Sequence, residues 1–425
     1  MVQQLVAEKS FSHVVLSFEK FSDDGFENVK FVYNALKSRQ LLPTPSQFKF
    51  GKDDGKALQM RKKGNIHFVD LDYVGALDYY NRCLAFSTAS SENLGLAYAN
   101  RSAVYFNCGY YDECLENIEL AIKHNYPERL MEKLLNRKEE CEKRVNRIEG
   151  KVKIDAPPKV TLTDKANPMI PSVINGIKLA HNKNLCYHLV ATRDLRPGDV
   201  IMIEKPYMAI FHTKALYSYC SNCYESNMMN LMPCETSTHA MFCSRECYDK
   251  FWNRFFKYEA PITQIYYEMS ELLLSDGRLG LIGLGLFGNI EKLKEFVEKT
   301  SSAKQITAFE LDYTSDMAPQ NLFGAVYSQP TRDNWETSLH KFVQVGLAAV
   351  NYHILTTFTD LKDMIHSDED EQFVMGYAYQ LRMNLSCWQQ VLMNRSGIAC
   401  KCPAYTKETI LLPVNLKWLA WSRVD

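Results

Sequence analysis

The sequence predicts a multidomain α+β chain: an all-α array first, then a split β-rich core interrupted by a cysteine-rich module and by a helical insert. Three observations predict it. Small and aromatic residues recur at helical spacing with an offset of 38 residues, from Gly64 to Ser102. Short apolar runs alternating with turn residues begin at Ile174. Five of the 13 cysteines fall between Cys220 and Cys247.

A length of 425 residues suggests two or three domains, and 46% hydrophobic with 23% charged residues is an ordinary globular balance. Lys plus Arg is 49 against 50 for Asp plus Glu, so no basic field invites nucleic acid or an anionic membrane. Glu8, Lys9, Glu19 and Lys20 interrupt the N-terminal apolar residues, which argues against a signal peptide. The longest apolar stretch, Leu279 to Phe287, is too short to cross a bilayer. A soluble protein of cytoplasm and nucleus is expected. The odd, clustered cysteines suggest a metal site in a reducing compartment rather than a disulfide framework.

Residues 1–50 read as a helical segment, and 51–150 as the array. In its first unit Gly64, Phe68, Tyr73, Ala76, Tyr80 and Cys83 suit two packed antiparallel helices, with small residues at the crossing. Ser102, Tyr105, Gly109, Tyr111, Cys114, Ile118, Ala121 and Pro127 repeat the pattern. The period is that of a tetratricopeptide (TPR) repeat plus a short insertion at Ser87 to Glu92. A helix from Glu128 to Val145 closes the array.

Within the array lies a pattern similar to the carboxylate clamp by which some TPR proteins hold chaperone tails ending Glu-Glu-Val-Asp. Arg61 and Asn65, Asn100 in Asn100-Arg101-Ser102, and Lys133 with Arg137 match it in order. Spacings of four put each pair on one helix face. Cations and amides there suit a terminal carboxylate and an Asp. Arg61 departs from the usual Lys, and the alternative is ordinary solvated helix charge.

Residues 151–168 are rich in Pro and polar residues and read as a linker. Strand-like text follows over 169–215, with turn chemistry at Arg196-Pro197-Gly198-Asp199. Cys220-x2-Cys223 and Cys243-x3-Cys247, in 216–262, supply four thiolates in two pairs, a set that satisfies tetrahedral zinc.

Ala191 to Pro206 resembles the opening of a SET domain as the SET-and-MYND protein family carries it, and Met241 to Trp252 resembles its MYND finger. The resemblance implies protein-lysine N-methylation with S-adenosylmethionine, and a finger that binds a peptide ligand of a partner protein. Departures are specific. The family has a Gly-containing pair where the cofactor lies against the backbone; this chain has Cys186 and Tyr187 there, which adds bulk. A complete finger holds a second zinc, and its ligand positions are occupied by Cys234, Ser237, Phe256 and Ala260, with His239 nearby but out of place. One zinc is therefore expected, with Trp252, Phe255 and Phe256 packing where the second would sit.

Residues 263–390 read as a helical insert. Gly283-x-Gly285-x-x-Gly288 copies a dinucleotide fingerprint, but no strand precedes it, so a flexible loop is expected. Asp368 to Glu371 is expected to be a solvated loop. Residues 391–425 read as a degenerate SET and post-SET remnant. Asn394-Arg395-Ser396 faintly resembles the start of the family's Asn-His-Ser-Cys motif. Cys400 and Cys402 resemble its third zinc cluster, or stand there by chance. The Asn-His-Ser-Cys and Gly-Glu-Glu segments are absent, which implies a catalytically defective chain whose first strands are left partly uncovered. Two functions stay open: a lysine methyltransferase, or a non-catalytic adaptor linking a chaperone tail to a MYND-bound partner.

Overall fold

The structure is a computed structural model, and it describes residues 24–145, 161–168, 171–182, 186–203, 207–224, 230–302, 315–327, 338–393 and 409–412. It is mostly helical, with small two-stranded sheets. Helix α1 (Gly25–Ser38) starts at an Asp24 cap that accepts from the Phe26 N–H. Although it precedes the array in sequence, its buried Val29, Val32 and Leu36 join the core of the C-terminal helices. Tyr33 meets Tyr352 edge to face at 5.2 Å.

The array consists of α2 (Asp54–Val69), α3 (Tyr73–Phe86), α4 (Glu92–Cys108), α5 (Tyr111–Lys123) and α6 (Met131–Arg144). Asp53, Asp72 and Ser91 cap the starts of α2, α3 and α4 by accepting from backbone N–H groups. Gly109, at φ +78°, ends α4 in the left-handed conformation that glycine adopts without a Cβ clash. At the α2–α3 crossing a β carbon on Gly64 would lie 2.5 Å from the Tyr80 ring. The array has its own apolar core, built around Leu77, Tyr80, Ala97, Tyr105, Cys114 and Ile118.

Strands β1 (Ile177–Asn182) and β2 (Cys186–Ala191) form an antiparallel hairpin that pairs Ile177 with Ala191 and Asn182 with Cys186. Val173, Ile174 and Ile177 close a small separate core under it. Strand β3 (Met208–Phe211) pairs antiparallel with β6 (Thr409–Leu412). The expectation of uncovered first strands fails for β3: all four of its residues are buried, because β6 covers its edge and helix α10 its face. The short pair β4 (Met232–Pro233) and β5 (Met241–Phe242) belongs to the cysteine module, followed by α7 (Arg245–Phe251), a π-helical turn (Trp252–Phe256) and α8 (Lys257–Glu259).

The remaining helices are α9 (Thr263–Met269), α10 (Glu271–Phe287), α11 (Ile290–Ser302), α12 (Ala318–Tyr327), α13 (Ser338–Phe358) and α14 (Asp368–Met393). Two sequence expectations are corrected here. Gly283 and Gly285 lie inside α10, not in a flexible loop. They are glycines of close approach: a β carbon on Gly285 would sit 1.8 Å from the Arg254 carbonyl oxygen, and one on Gly283 2.3 Å from the Tyr377 hydroxyl. The apolar run is buried as a helix because neighbours surround it on every side. Likewise Asp368 to Glu371 is the first turn of α14, where carboxylates favour the positive end of the helix dipole. Ser367 caps Asp370, Glu369 pairs with Lys294, and Glu371 accepts from Tyr352 at 2.8 Å.

Two buried ion pairs fix α10. Arg278 grips Glu259 with bonds of 2.7 and 2.8 Å and donates to the Ala209 carbonyl at 2.7 Å. Asp276 accepts from Arg382 through both carboxylate oxygens at 3.0 Å, and from the Ser275 hydroxyl at 3.4 Å. Burial raises the Asp276 carboxyl above its usual range, against the pull of Arg382. For Arg278 burial disfavours the charge, but Glu259 outweighs it and the guanidinium stays charged.

Gly285→Ala should destabilise the chain by about 1–3 kcal/mol, since the carbonyl it strikes belongs to backbone. Gly346→Ala, in α13 with nothing within 4 Å of the added carbon, should instead be neutral or stabilise by up to about 1 kcal/mol. Urea unfolding of both variants checks the contrast. Equal effects would contradict the packing role of Gly285.

Candidate metal centre and its seam with the helical array

The sulfurs of Cys220, Cys223, Cys243 and Cys247 all lie within 4.8 Å of one another. Cys223 and Cys243 are 3.7 Å apart, and Cys243 and Cys247 3.6 Å. A tetrahedral zinc with Zn–S bonds of about 2.3 Å separates its sulfurs by roughly 3.8 Å, so the four side chains fit one such ion. Local structure explains the gathering. The first pair sits in a tight turn, where the Tyr224 N–H donates to the Cys220 carbonyl at 3.0 Å. Cys243 ends β5, and Ser244 caps α7 by accepting from the Cys247 N–H at 3.2 Å, which turns that thiol back toward the other three.

The hydrogen bond from the Cys223 thiol, aided by backbone N–H groups, holds the Cys220 thiol down at about 5. Burial pushes Cys243 up to about 11. A thiolate amid three sulfur neighbours is what a divalent cation stabilises. Asn222 donates to the Cys247 sulfur at 3.5 Å, a supporting contact outside the ligand set.

Among the described residues this is the one such cluster of potential metal ligands. Cys234 and His239 are not gathered into another. Cys234 is buried and bonds Thr236. His239 bonds Thr238 at 2.9 Å and stacks on Tyr267 with ring centroids 5.0 Å apart. Burial, then the Lys56 charge, lowers the His239 imidazole to about 4 and keeps it neutral. Phe255 and Phe256 are both buried, and each packs on Phe251 at 4.8 Å.

Sequence reasoning missed the residue that fills the polar part of this region. Lys52, just before α2, donates to the Cys234 carbonyl at 2.6 Å, the Ala85 carbonyl at 2.7 Å and the Ser237 carbonyl at 3.4 Å. Burial brings its ammonium down to about 8, against the attraction of Cys234 and Glu235. Nothing in a solitary lysine before a helix signals this role. A second cation repeats the motif. Arg101, wholly buried, donates to the Leu231 carbonyl at 2.7 Å and to Asn81 at 3.1 Å. Asn81 donates to the Tyr217 carbonyl at 2.9 Å, and Arg82 lies 4.6 Å over the Tyr217 ring. The array therefore grips the finger by donating into its backbone carbonyls.

The expected clamp residues lie on α2, α4 and α6, the first helices of the successive units. Asn100 donates to Asn65 at 2.9 Å, and Asn65 also accepts from Tyr80 at 2.9 Å. Arg61 donates to Asn93 at 3.1 Å. Arg137 donates to the Ala99 carbonyl at 2.9 Å and to Ser102 at 2.8 Å, while Lys133, one turn earlier, is exposed. Cys186 and Tyr187 open β2, opposite Asn182 and His181. Asn394, Cys400 and Cys402 lie outside the described residues. No helix among the described residues is long and apolar enough to cross a membrane.

The Lys52 ammonium binds a proton less readily in the folded chain than at its ordinary 10.5, so between pH 8 and 10.5 the unfolded chain holds more protons. This lysine should therefore make stability rise across that window and contribute no slope below it. Comparing denaturant midpoints of the natural chain and Lys52→Met from pH 7 to 10.5 checks the sign. An unchanged difference between the two across the window would contradict it.

No family model matches the chain, and no solved structure matches it. The chain is similar to Protein-lysine N-methyltransferase SMYD4 of Pongo abelii, at 26% identity over 277 residues covering 50% of this chain and 34% of the relative. The SMYD4 of Danio rerio is 25% identical over 238 residues, 51% of this chain and 30% of the relative. Histone-lysine N-methyltransferase ASHR1 of Arabidopsis thaliana matches a shorter stretch, 33% identical over 64 residues, 15% of this chain and 13% of the relative. The chain thus spans about a third of the length of the SMYD4 relatives it matches. At about 25% identity over half of its residues, the chain is similar to several SMYD4 proteins of the SET-and-MYND family, and its four-cysteine cluster fits a zinc ion.

Proposed function

We propose that this chain is a zinc-stabilised protein-binding member of a protein-lysine methyltransferase family, and that its TPR-like array captures the acidic C-terminal tail of a partner such as a chaperone. The observation that carries this reading is the row of amide and cationic groups across α2, α4 and α6. Asn65 and Asn100 are joined directly, and Lys133 stands exposed one turn from Arg137. Amide donors flanked by cations suit a carboxylate that brings two oxygens and a full charge. A free C-terminus beside an Asp supplies two such groups.

Zinc would be held by Cys220, Cys223, Cys243 and Cys247. With four protein ligands the ion has no open position, so its contribution is to bind the two cysteine pairs together. The finger presented this way is the candidate site for a MYND peptide ligand.

For methyl transfer the residues fit less well. The cofactor S-adenosylmethionine would lie against the backbone at the step occupied by Cys186 and Tyr187, where the family has a Gly-containing pair and this chain has no glycine. This favours a non-catalytic adaptor. The matched relatives are named lysine methyltransferases, which favours enzymatic activity as the second reading.

Elemental analysis should find one zinc per chain, retained in Cys234→Ser and lost in Cys247→Ser. Two ions per chain would overturn the single-site reading. A peptide ending Glu-Glu-Val-Asp should bind with a Kd on the order of micromolar. Lys133→Ala should weaken it roughly tenfold, as loss of a charge-assisted bond does. Equal binding of the amidated peptide would defeat the tail-binding reading. Calorimetry with S-adenosylmethionine and labelled methyl transfer to lysate proteins decides between adaptor and enzyme. Saturable binding with incorporation that Asn394→Ala abolishes would establish the enzyme.

A further inference from the structure

Four cysteines of the array lie outside the metal centre. Among the described residues, Cys114 on α5 and Cys141 on α6 are the array thiols that share a hydrogen bond, with their sulfurs 3.0 Å apart. Both are wholly buried. The two thiols meet across two helices, 27 residues apart in sequence, inside the apolar core of the array. Their neighbourhood distinguishes them. Contact with the Cys114 sulfur, with the Arg137 and Arg144 cations on α6, favours the thiolate at Cys141. The same contact, with burial, pushes the Cys114 thiol up. One sulfur is thus the better nucleophile and the other its proton-bearing partner.

We propose that Cys114 and Cys141 are a disulfide-forming pair, oxidised by a small peroxide, whose closure fastens α6 to α5. The Cys141 thiolate attacks one oxygen of hydrogen peroxide and the O–O bond breaks. A sulfenic acid forms at Cys141, and the departing hydroxide takes a proton to leave as water. The Cys114 sulfur then attacks the Cys141 sulfur, and the sulfenic oxygen departs with the Cys114 proton as a second water. Two thiols give up two electrons, and one peroxide takes them. The sulfurs close from 3.0 Å to about 2.05 Å, a movement of about 1 Å that a terminal helix of an array can make. Access comes from the same place: Cys141 lies in the last turn of α6, the part of a helix that frays first.

Formation of the bond does not depend on the tail-binding reading. Only its consequence does, because α6 carries Lys133 and Arg137. The zinc-loaded full chain is titrated with hydrogen peroxide, remaining thiols are alkylated, and the peptides are mapped by mass spectrometry without reduction. The expected product is a Cys114–Cys141 cross-linked peptide, formed while Cys83 and Cys108 remain alkylatable and reversed by dithiothreitol. Amide exchange along α6 should slow by roughly tenfold in the cross-linked chain, since opening of the helix then works against a covalent tie. Cys141→Ser should abolish both effects, and its unfolding midpoint before oxidation shows whether it is folded. The wild-type cross-link is a readout that needs no variant. A link that appears only in urea, or Cys114 paired with Cys83 or Cys108 instead, would overturn the proposal. So would an equal slowing of exchange by peroxide in Cys141→Ser. Unchanged tail affinity in the cross-linked chain would leave the disulfide standing and remove only its bearing on the clamp.

Discussion

The C-terminal half of the molecule is organised by the backbone contact between Gly285 and Arg254. Helix α10 can approach the π-helical turn after the finger only because no side chain stands at 285. Once there, it is enclosed. Gly277 faces Tyr266, and Gly280 lies against Leu381. A helix so closely surrounded cannot lean on solvent for its charged residues. Asp276 and Arg278 are therefore each answered by a full ion pair, one from α14 and one from α8. Buried pairs of this kind add little net stability, because desolvation offsets much of the attraction. Their effect is on register: the wrong rotation of α10 would bury two uncompensated charges.

A different logic joins the array to the finger. There the contacts run from cation to carbonyl, with Lys52 and Arg101 donating into the backbone around β4. Short, irregular segments such as 230–238 leave carbonyls without sheet or helix partners, and buried carbonyls need donors. The neighbouring cluster brings four thiols together; in this region an ammonium and aromatic packing organise the chain. The consequence is that the finger is seated in the array rather than hung from a linker. Tyr105 extends the seam by accepting from the Asn230 N–H at 3.0 Å.

The hairpin of β1 and β2 stands on a core of its own. Among the described residues that core contains Val173, Ile174 and Ile177 with Leu189 and Met202 packed against them, separate from the two larger cores. Cys186, at the turn end of β2, stands at the far tip of that hairpin from Ile177.

Much of this was legible in the residues themselves. The two helical units, and the crossing at Gly64, follow from the alternation of small and aromatic residues. The four cysteines of the metal centre declare themselves by spacing alone, because two thiols two or three residues apart can meet one ion wherever the pairs are brought together. What sequence could not decide is whatever depends on a distant neighbour. Gly283-x-Gly285-x-x-Gly288 reads as a loop or fingerprint until Arg254 and Tyr377 are placed against it. Asp368 to Glu371 reads as a solvated loop until Ser367 caps a helix there. Lys52 reads as one more surface cation until Cys234 and Ser237, some 180 residues away, turn their carbonyls toward it. Spacing is a property of the chain and survives in the text; the partner of a buried charge is a property of the fold, because only packing decides which carbonyl loses its water.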